Sequence, residues 1–131
     1  MINATRKGFT LVELVMVIVI IGLLAAVVVP KFGDMRSEAT NAAEAATVSA
    51  VRTGIKLVYM TNLAKGLDEY PSKLDDAAND VASETNPLFG NVLEEGITDS
   101  NWKKTGSRSY RYLPTGNRYR YDRTTGKFER R

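Results

Sequence analysis

At 131 residues the chain is long enough for one domain and hardly for two. It contains neither cysteine nor histidine, which excludes a disulfide framework and thiolate metal sites and leaves the usual nucleophile–base pairs without raw material. No enzyme is expected. The net charge of +3 hides a strong segregation. Residues 1–64 hold six basic and four acidic side chains, residues 65–99 two and nine, and residues 100–131 ten and two. The successive sums are +2, −7 and +8, so two opposed patches matter more than the total.

The chain opens on a basic stub ending in Arg6 and Lys7, followed by a greasy run. Leu14 to Val29 carries no charged or hydrogen-bonding side chain. As a helix, the 21 residues Phe9 to Val29 rise about 30 Å, the thickness of a bilayer core. A secretory signal peptide fits poorly, because the apolar stretch is too long and Val27-Val28-Val29-Pro30 is a bulky end for signal peptidase. A plain membrane anchor fits better, except for Glu13. A carboxylate at that depth costs several kcal/mol unless a partner compensates it.

The stretch KGFTLVELVMVIVIIGLLAAVVVP resembles the N-terminus of the type IV pilin and type II secretion pseudopilin superfamily. That resemblance implies a leader of residues 1–8, cleavage by a prepilin peptidase between Gly8 and Phe9, and methylation of the new Phe9 amine. It also implies that Glu13 pairs with the N-terminal ammonium of a neighbouring subunit during assembly. Gly22 and Pro30 sit where the family has helix-weakening residues, and the segment between them is expected to lose helical hydrogen bonds in a filament. Independently of any family, an ammonium and a carboxylate in a low dielectric relieve each other's desolvation cost. Arg6 and Lys7 place the N-terminus in the cytoplasm, although Lys31 and Arg36 make the charge asymmetry slight.

Past Pro30 the pattern stays helical to about Leu63. Phe32, Met35, Ala39, Ala42, Ala43, Ala46, Ala50 and Leu57 form one stripe at three- and four-residue spacing, and Val48, Val51, Ile55, Val58 and Tyr59 widen it. The small side chains suit close packing of parallel helices. Pro30 removes a backbone donor and predicts a kink rather than a stop. The expected organisation is therefore a membrane and assembly half at 9–30 and an amphipathic half at 31–64.

Residues 65–101 lack sustained periodicity and read as a connecting region. A short helical turn is expected over 72–81, with Ser72 as its cap. Leu88, Phe89, Val92, Leu93 and Ile97 anchor the region to the domain. Glu94, Glu95 and Asp99, with the Thr98 hydroxyl, are weak candidates for calcium ligands. The EF-hand spacing is absent, so a solvated acidic loop is the preferred reading and no cofactor is expected.

Residues 102–131 alternate like sheet: SYRYL, RYRYD and KFE flank the turns PTGN and RTTG. Tyr110, Tyr112, Tyr119 and Tyr121 are expected on the face against the helix, with Arg111 and Arg120 opposite and Trp102 closing the core. Interleaved Arg and Tyr also resemble a single-strand nucleic-acid platform, but tyrosines committed to a core cannot stack bases, so nucleic acid is not an expected partner. The fold class is α+β, a long N-terminal helix on a small antiparallel sheet.

The reading is a structural subunit of a type IV pilus-type filament. The resemblance implies an inner-membrane precursor, a homo-oligomeric helical filament outside that membrane, and an inner-membrane assembly platform as partner. The alternatives are a type II secretion pseudopilin, towards which the absent cysteines and the YPSKL after the helix tilt, and a minor pilin serving DNA uptake or adhesion.

Overall fold

The N-terminal run has no polar side on which to face water, and a helix is the one local structure that satisfies its backbone without partners. A computed structural model describes residues 8–131. Its helix α1 spans Leu11–Ala64, 54 residues, and continues through Pro30. That proline lacks the N–H that would reach the carbonyl one turn earlier, so the helix loses one backbone hydrogen bond there. The far end stops on a Schellman turn. Leu67 N–H reaches the Asn62 carbonyl at 2.9 Å and Gly66 N–H the Leu63 carbonyl at 2.9 Å, with Gly66 at φ 79°, a left-handed value that costs glycine nothing.

The chain divides into two compact units, one ending at Ala39 and the other running from Thr40 to Arg131. In the first, every large apolar side chain from Phe9 to Val29 is exposed, from Phe9 at 87% down to Val28 at 41%. A helix apolar all round is stable only inside a membrane or among other helices. This one is long and apolar enough to span a bilayer.

The second unit is built on a four-stranded antiparallel meander in the order β1-β2-β3-β4, comprising β1 Trp102–Gly106, β2 Ser109–Tyr112, β3 Arg118–Asp122 and β4 Lys127–Arg130. Strand β1 adds one to the three strands that the alternation of SYRYL, RYRYD and KFE marks out. Its WKKTG sequence conceals the pattern because a lysine, Lys104, takes an inward position and is buried.

The inner face carries Trp102, Tyr110, Tyr112, Tyr119, Tyr121 and Phe128, all buried, against Val48, Val51 and Ile55 of α1. The buried face of the helix is Glu44, Val48, Val51, Gly54 and Ile55, a three- and four-residue spacing. Ala42, Ala43, Ala46, Ala50 and Leu57, part of the small-residue stripe, remain exposed. Burying one large apolar side chain contributes roughly 1.5–3 kcal/mol, so the β-branched face wins the sheet and the alanine face is left over.

The connecting region departs from expectation at one place. Residues 72–81 form no helical turn, and Ser72 caps nothing. Asp75 turns inward to Lys104, Leu74 is buried, and Val81 pairs with Lys103 as an isolated bridge. Ala82 N–H donates to the Trp102 carbonyl at 2.9 Å and Lys104 N–H to the Asp80 carbonyl at 3.0 Å. Covering the β1 edge outweighs local helix propensity here, since an open edge leaves unpaired donors and acceptors. Leu88 and Phe89 are buried, with Val92, Leu93 and Ile97 packed on the same core.

Candidate functional site

Gly8, Phe9 and Thr10 precede α1 and are exposed. The Thr10 hydroxyl oxygen accepts the Glu13 N–H at 3.2 Å, which makes Thr10 the N-cap and places Glu13 in the first turn. The Thr-x-x-Glu spacing is a capping-box signal and would have located the helix start from sequence alone. Glu13 therefore has two roles available. Its charge complements the positive end of the helix dipole, and its carboxylate is the sole ionisable group between Phe9 and Pro30. It is exposed, so it is open to a partner from outside the chain.

A side chain at Gly22 would meet nothing within 4 Å, so its smallness serves no contact within the described residues. Pro30 lies inside the helix. Arg6 and Lys7, the expected leader cations, lie outside the described residues.

The acidic candidates do not converge. Glu94 and Glu95 are exposed, while Asp99 accepts from the Asn101 backbone at 3.0 Å and the Asn101 side-chain amide at 3.1 Å. Among the described residues, no three acidic side chains gather in a way that would hold a metal ion.

Two buried polar centres escaped the sequence reading. Glu44 on α1 accepts from the Tyr119 hydroxyl at 2.6 Å, the Asn117 amide at 2.8 Å and the Thr115 hydroxyl at 2.9 Å, which ties the helix to β3 and to the β2–β3 connection. Burial pushes its pKa up, but those three hydrogen bonds and the positive field of Arg130 hold it below the ordinary 4.5. The signal was present, for Glu44 stands four residues before Val48 and seven before Val51, on the buried stripe. The second centre is Asp75 with Lys104.

All four tyrosines of the meander point inward. Tyr110 donates to Asp75 at 2.8 Å, Tyr119 to Glu44, and Tyr121 to the Pro71 carbonyl at 2.6 Å. Their rings are not available to stack bases, while Arg111 and Arg120 are exposed on the other face.

These centres give a pH profile with two arms. Burial and the Glu44 hydrogen bond push Tyr119 up to about 12, and burial with the Asp122 charge pushes Tyr121 up to about 12. Above pH 10, their ordinary value, the unfolded chain loses these protons while the folded chain keeps them, so stability falls as pH rises towards 12. Glu44 acts in the opposite direction. Its contribution is fully present above pH 4.5 and is lost as pH falls through its lower folded value. Thermal unfolding of the detergent-solubilised chain across pH is expected to show both declines, with the acid decline reduced in Glu44→Gln.

The segment carrying Gly8, Phe9 and Glu13 is matched at residues 3–29 by the model of the prokaryotic N-terminal methylation motif. Over 112 residues the chain is 31% identical to fimbrial protein EcpC of Eikenella corrodens, covering 81% of this chain and 69% of that protein. It belongs to the type IV pilin superfamily.

Other relatives agree. The chain is 49% identical over 61 residues to the type IV narrow pilus major component PilA5 of Thermus thermophilus, covering 47% of this chain and 51% of that protein. It is 32% identical over 104 residues to the type IV major fimbrial protein FimA of Dichelobacter nodosus, covering 79% and 62%. The chain thus spans between half and about two thirds of the length of these relatives. No solved structure matches it. The relatives bear the names of filament components, not of enzymes. Within this pilin, the helix–sheet arrangement is the α+β fold that the sequence implied.

Proposed function

We propose that this pilin is a structural subunit of a type IV pilus-type filament. A prepilin peptidase cuts it between Gly8 and Phe9 and methylates the Phe9 amine. The trimmed chain then waits in the inner membrane until an assembly platform feeds it into a homo-oligomeric filament. The observation that carries this reading is the helix from Leu11 to Val29, apolar on all sides and uncovered, with a single carboxylate in its first turn. Such a surface demands lipid before assembly and neighbouring helices after it. Glu13 then meets the new α-amine of an adjoining subunit, and each charge offsets the other's desolvation. Gly22 admits close helix approach, and the defect at Pro30 lets the segment between them loosen.

The names of PilA5 and FimA as major components support the pilus over the secretion pseudopilus. The mechanism requires no cofactor and no nucleic acid.

Co-expression with a matching peptidase, followed by mass spectrometry of the N-terminus, is expected to show loss of Met1 to Gly8 and one added methyl group. Glu13→Ala is expected to insert in the membrane as the parent does but to yield no sheared filaments by electron microscopy. A variant that formed filaments at the parental level would refute the pairing role. A mature chain that retained Gly8 would remove the amine on which the pairing depends.

A further inference from the structure

The outer face of the meander carries a row of like charges. The register sets Lys103 opposite Arg111 and Arg111 opposite Arg118. Arg131 N–H donates to the Arg118 carbonyl at 2.9 Å, which brings a fourth cation alongside. Strands β1 to β3 and the residue that follows β4 therefore present four cations abreast, over about 14 Å at the usual strand spacing. Like charges directly opposite one another destabilise a sheet. Elsewhere on this face the charges are matched, with Arg120 opposite Glu129 and Asp122 opposite Lys127. None of Lys103, Arg111, Arg118 or Arg131 makes an ion pair with a described residue. Arg111, Arg118 and Arg131 line one shallow groove together with Arg120, Thr105 and Ser109. The fold leaves the repulsion in this row uncompensated from within.

The same chain carries the complementary charge on a different surface. Glu94 and Glu95 are exposed on a turn held by Leu93 N–H to the Phe89 carbonyl at 2.9 Å and by the Leu88–Ile97 bridge. The backbone of that turn at Val92 packs against Gly54 of α1, on the helix side of the sheet and away from the cationic row. Two complementary patches on different surfaces of one subunit allow a head-to-tail contact, which propagates into a filament where its rotation does not close into a ring.

We propose that the Lys103–Arg111–Arg118 row docks the Glu94–Glu95 turn of a second copy of this chain, as a lateral contact between sheet units in the filament. This rests on the subunit reading above. The contact removes the repulsion within the row, and it confers register and salt sensitivity rather than bulk affinity.

Arg118→Glu separates the two effects of the row. It sets an acid between Arg111 and Arg131 and leaves Lys103 opposite Arg111 as the one like-charged pair of the row. The melting temperature of the detergent-solubilised chain is therefore expected to rise, while the yield of sheared filaments falls at least about tenfold and the remainder disperses at lower salt. Arg111→Glu with Arg118→Glu, and Glu94→Lys with Glu95→Lys, are each expected to lose filament yield. The chain carrying all four substitutions is expected to recover it, which also excludes misfolding as the cause of the losses. Parental yield from either reversed pair would overturn the proposal, as would failure of the four-fold variant to recover. Retention of a fluorescent single-stranded oligonucleotide by parental filaments, lost in the arginine pair at unchanged yield, would reassign the row to nucleic acid and overturn it equally. Absence of filaments from the parent chain would instead overturn the subunit reading, and this contact with it.

Discussion

Asp75→Ala is expected to destabilise the sheet unit by roughly 3–5 kcal/mol, the cost of orphaning a buried charge. Asp75 is a hub. One carboxylate oxygen accepts from Lys104 Nζ at 2.6 Å and from the Ala77 N–H at 3.2 Å. The other accepts from the Tyr110 hydroxyl at 2.8 Å and the Phe89 N–H at 2.9 Å. The pair is deeply buried, with side-chain exposures of 1% for Asp75 and 7% for Lys104. Without the carboxylate, Lys104 keeps only the Ala77 carbonyl at 2.9 Å, and Phe89 loses the bond that holds its backbone. Phe89 stands at φ 60°, the one non-glycine residue with positive φ among the described residues. That conformation costs on the order of 1 kcal/mol or more and persists because its surroundings enforce it.

A total stability of about 5–15 kcal/mol would lose a large fraction, and the melting temperature is expected to drop by more than about 10 °C. Asp75→Asn keeps the shape but leaves the ammonium uncompensated, and it should fall between parent and alanine. Asp75→Leu combined with Lys104→Met removes both charges and should recover much of the loss, since apolar replacements of buried pairs are often neutral. Near-UV circular dichroism during thermal unfolding reads all three. A single alanine variant melting with the parent would show that this centre contributes nothing.

The second large effect runs against helix propensity. Gly54→Ala in a helix interior would ordinarily gain about 1 kcal/mol. Here a Cβ would run into the Val92 carbonyl, with the Val92 side chain behind it. That carbonyl cannot step aside cheaply. Val92 N–H bonds the Phe89 carbonyl at 3.1 Å and Asn91 N–H bonds the Leu74 carbonyl at 2.9 Å, so moving it drags two buried residues. Overpacking costs typically about 1–3 kcal/mol, and overlap with pinned backbone belongs at the upper end. The net is expected to be a loss of about 1–2 kcal/mol by denaturant titration. A more stable alanine variant would mean that the turn yields readily. In that case the Glu94–Glu95 surface it carries would lack a rigid base.

What the sequence by itself determined is whatever depends on near neighbours. A run without polar side chains from Leu14 to Val29 can only be a lipid- or helix-packed segment, and the carboxylate of Glu13 at its start is conspicuous whatever the fold. Alternation in SYRY and RYRYD sends tyrosines to one face and arginines to the other, because the side-chain period of a strand is two. Such features need no knowledge of residues far along the chain.

Other assignments waited for the tertiary structure because they depend on pairs distant in sequence. Glu44 reads as one more solvated acid in an alanine-rich helix until Tyr119, 75 positions later, places a hydroxyl on it. Asp75 belongs to an apparent helical turn until Lys104, 29 positions later, draws it inward and residues 80–82 cover the edge of β1. The cationic row is equally invisible beforehand. Arg111 and Arg118 are seven residues apart in the chain, and only the register sets them opposite each other. A local pattern carries the free energy of side chains against their own backbone, while these centres carry that of buried charges, which is larger per group and is decided by whichever partner the fold brings close.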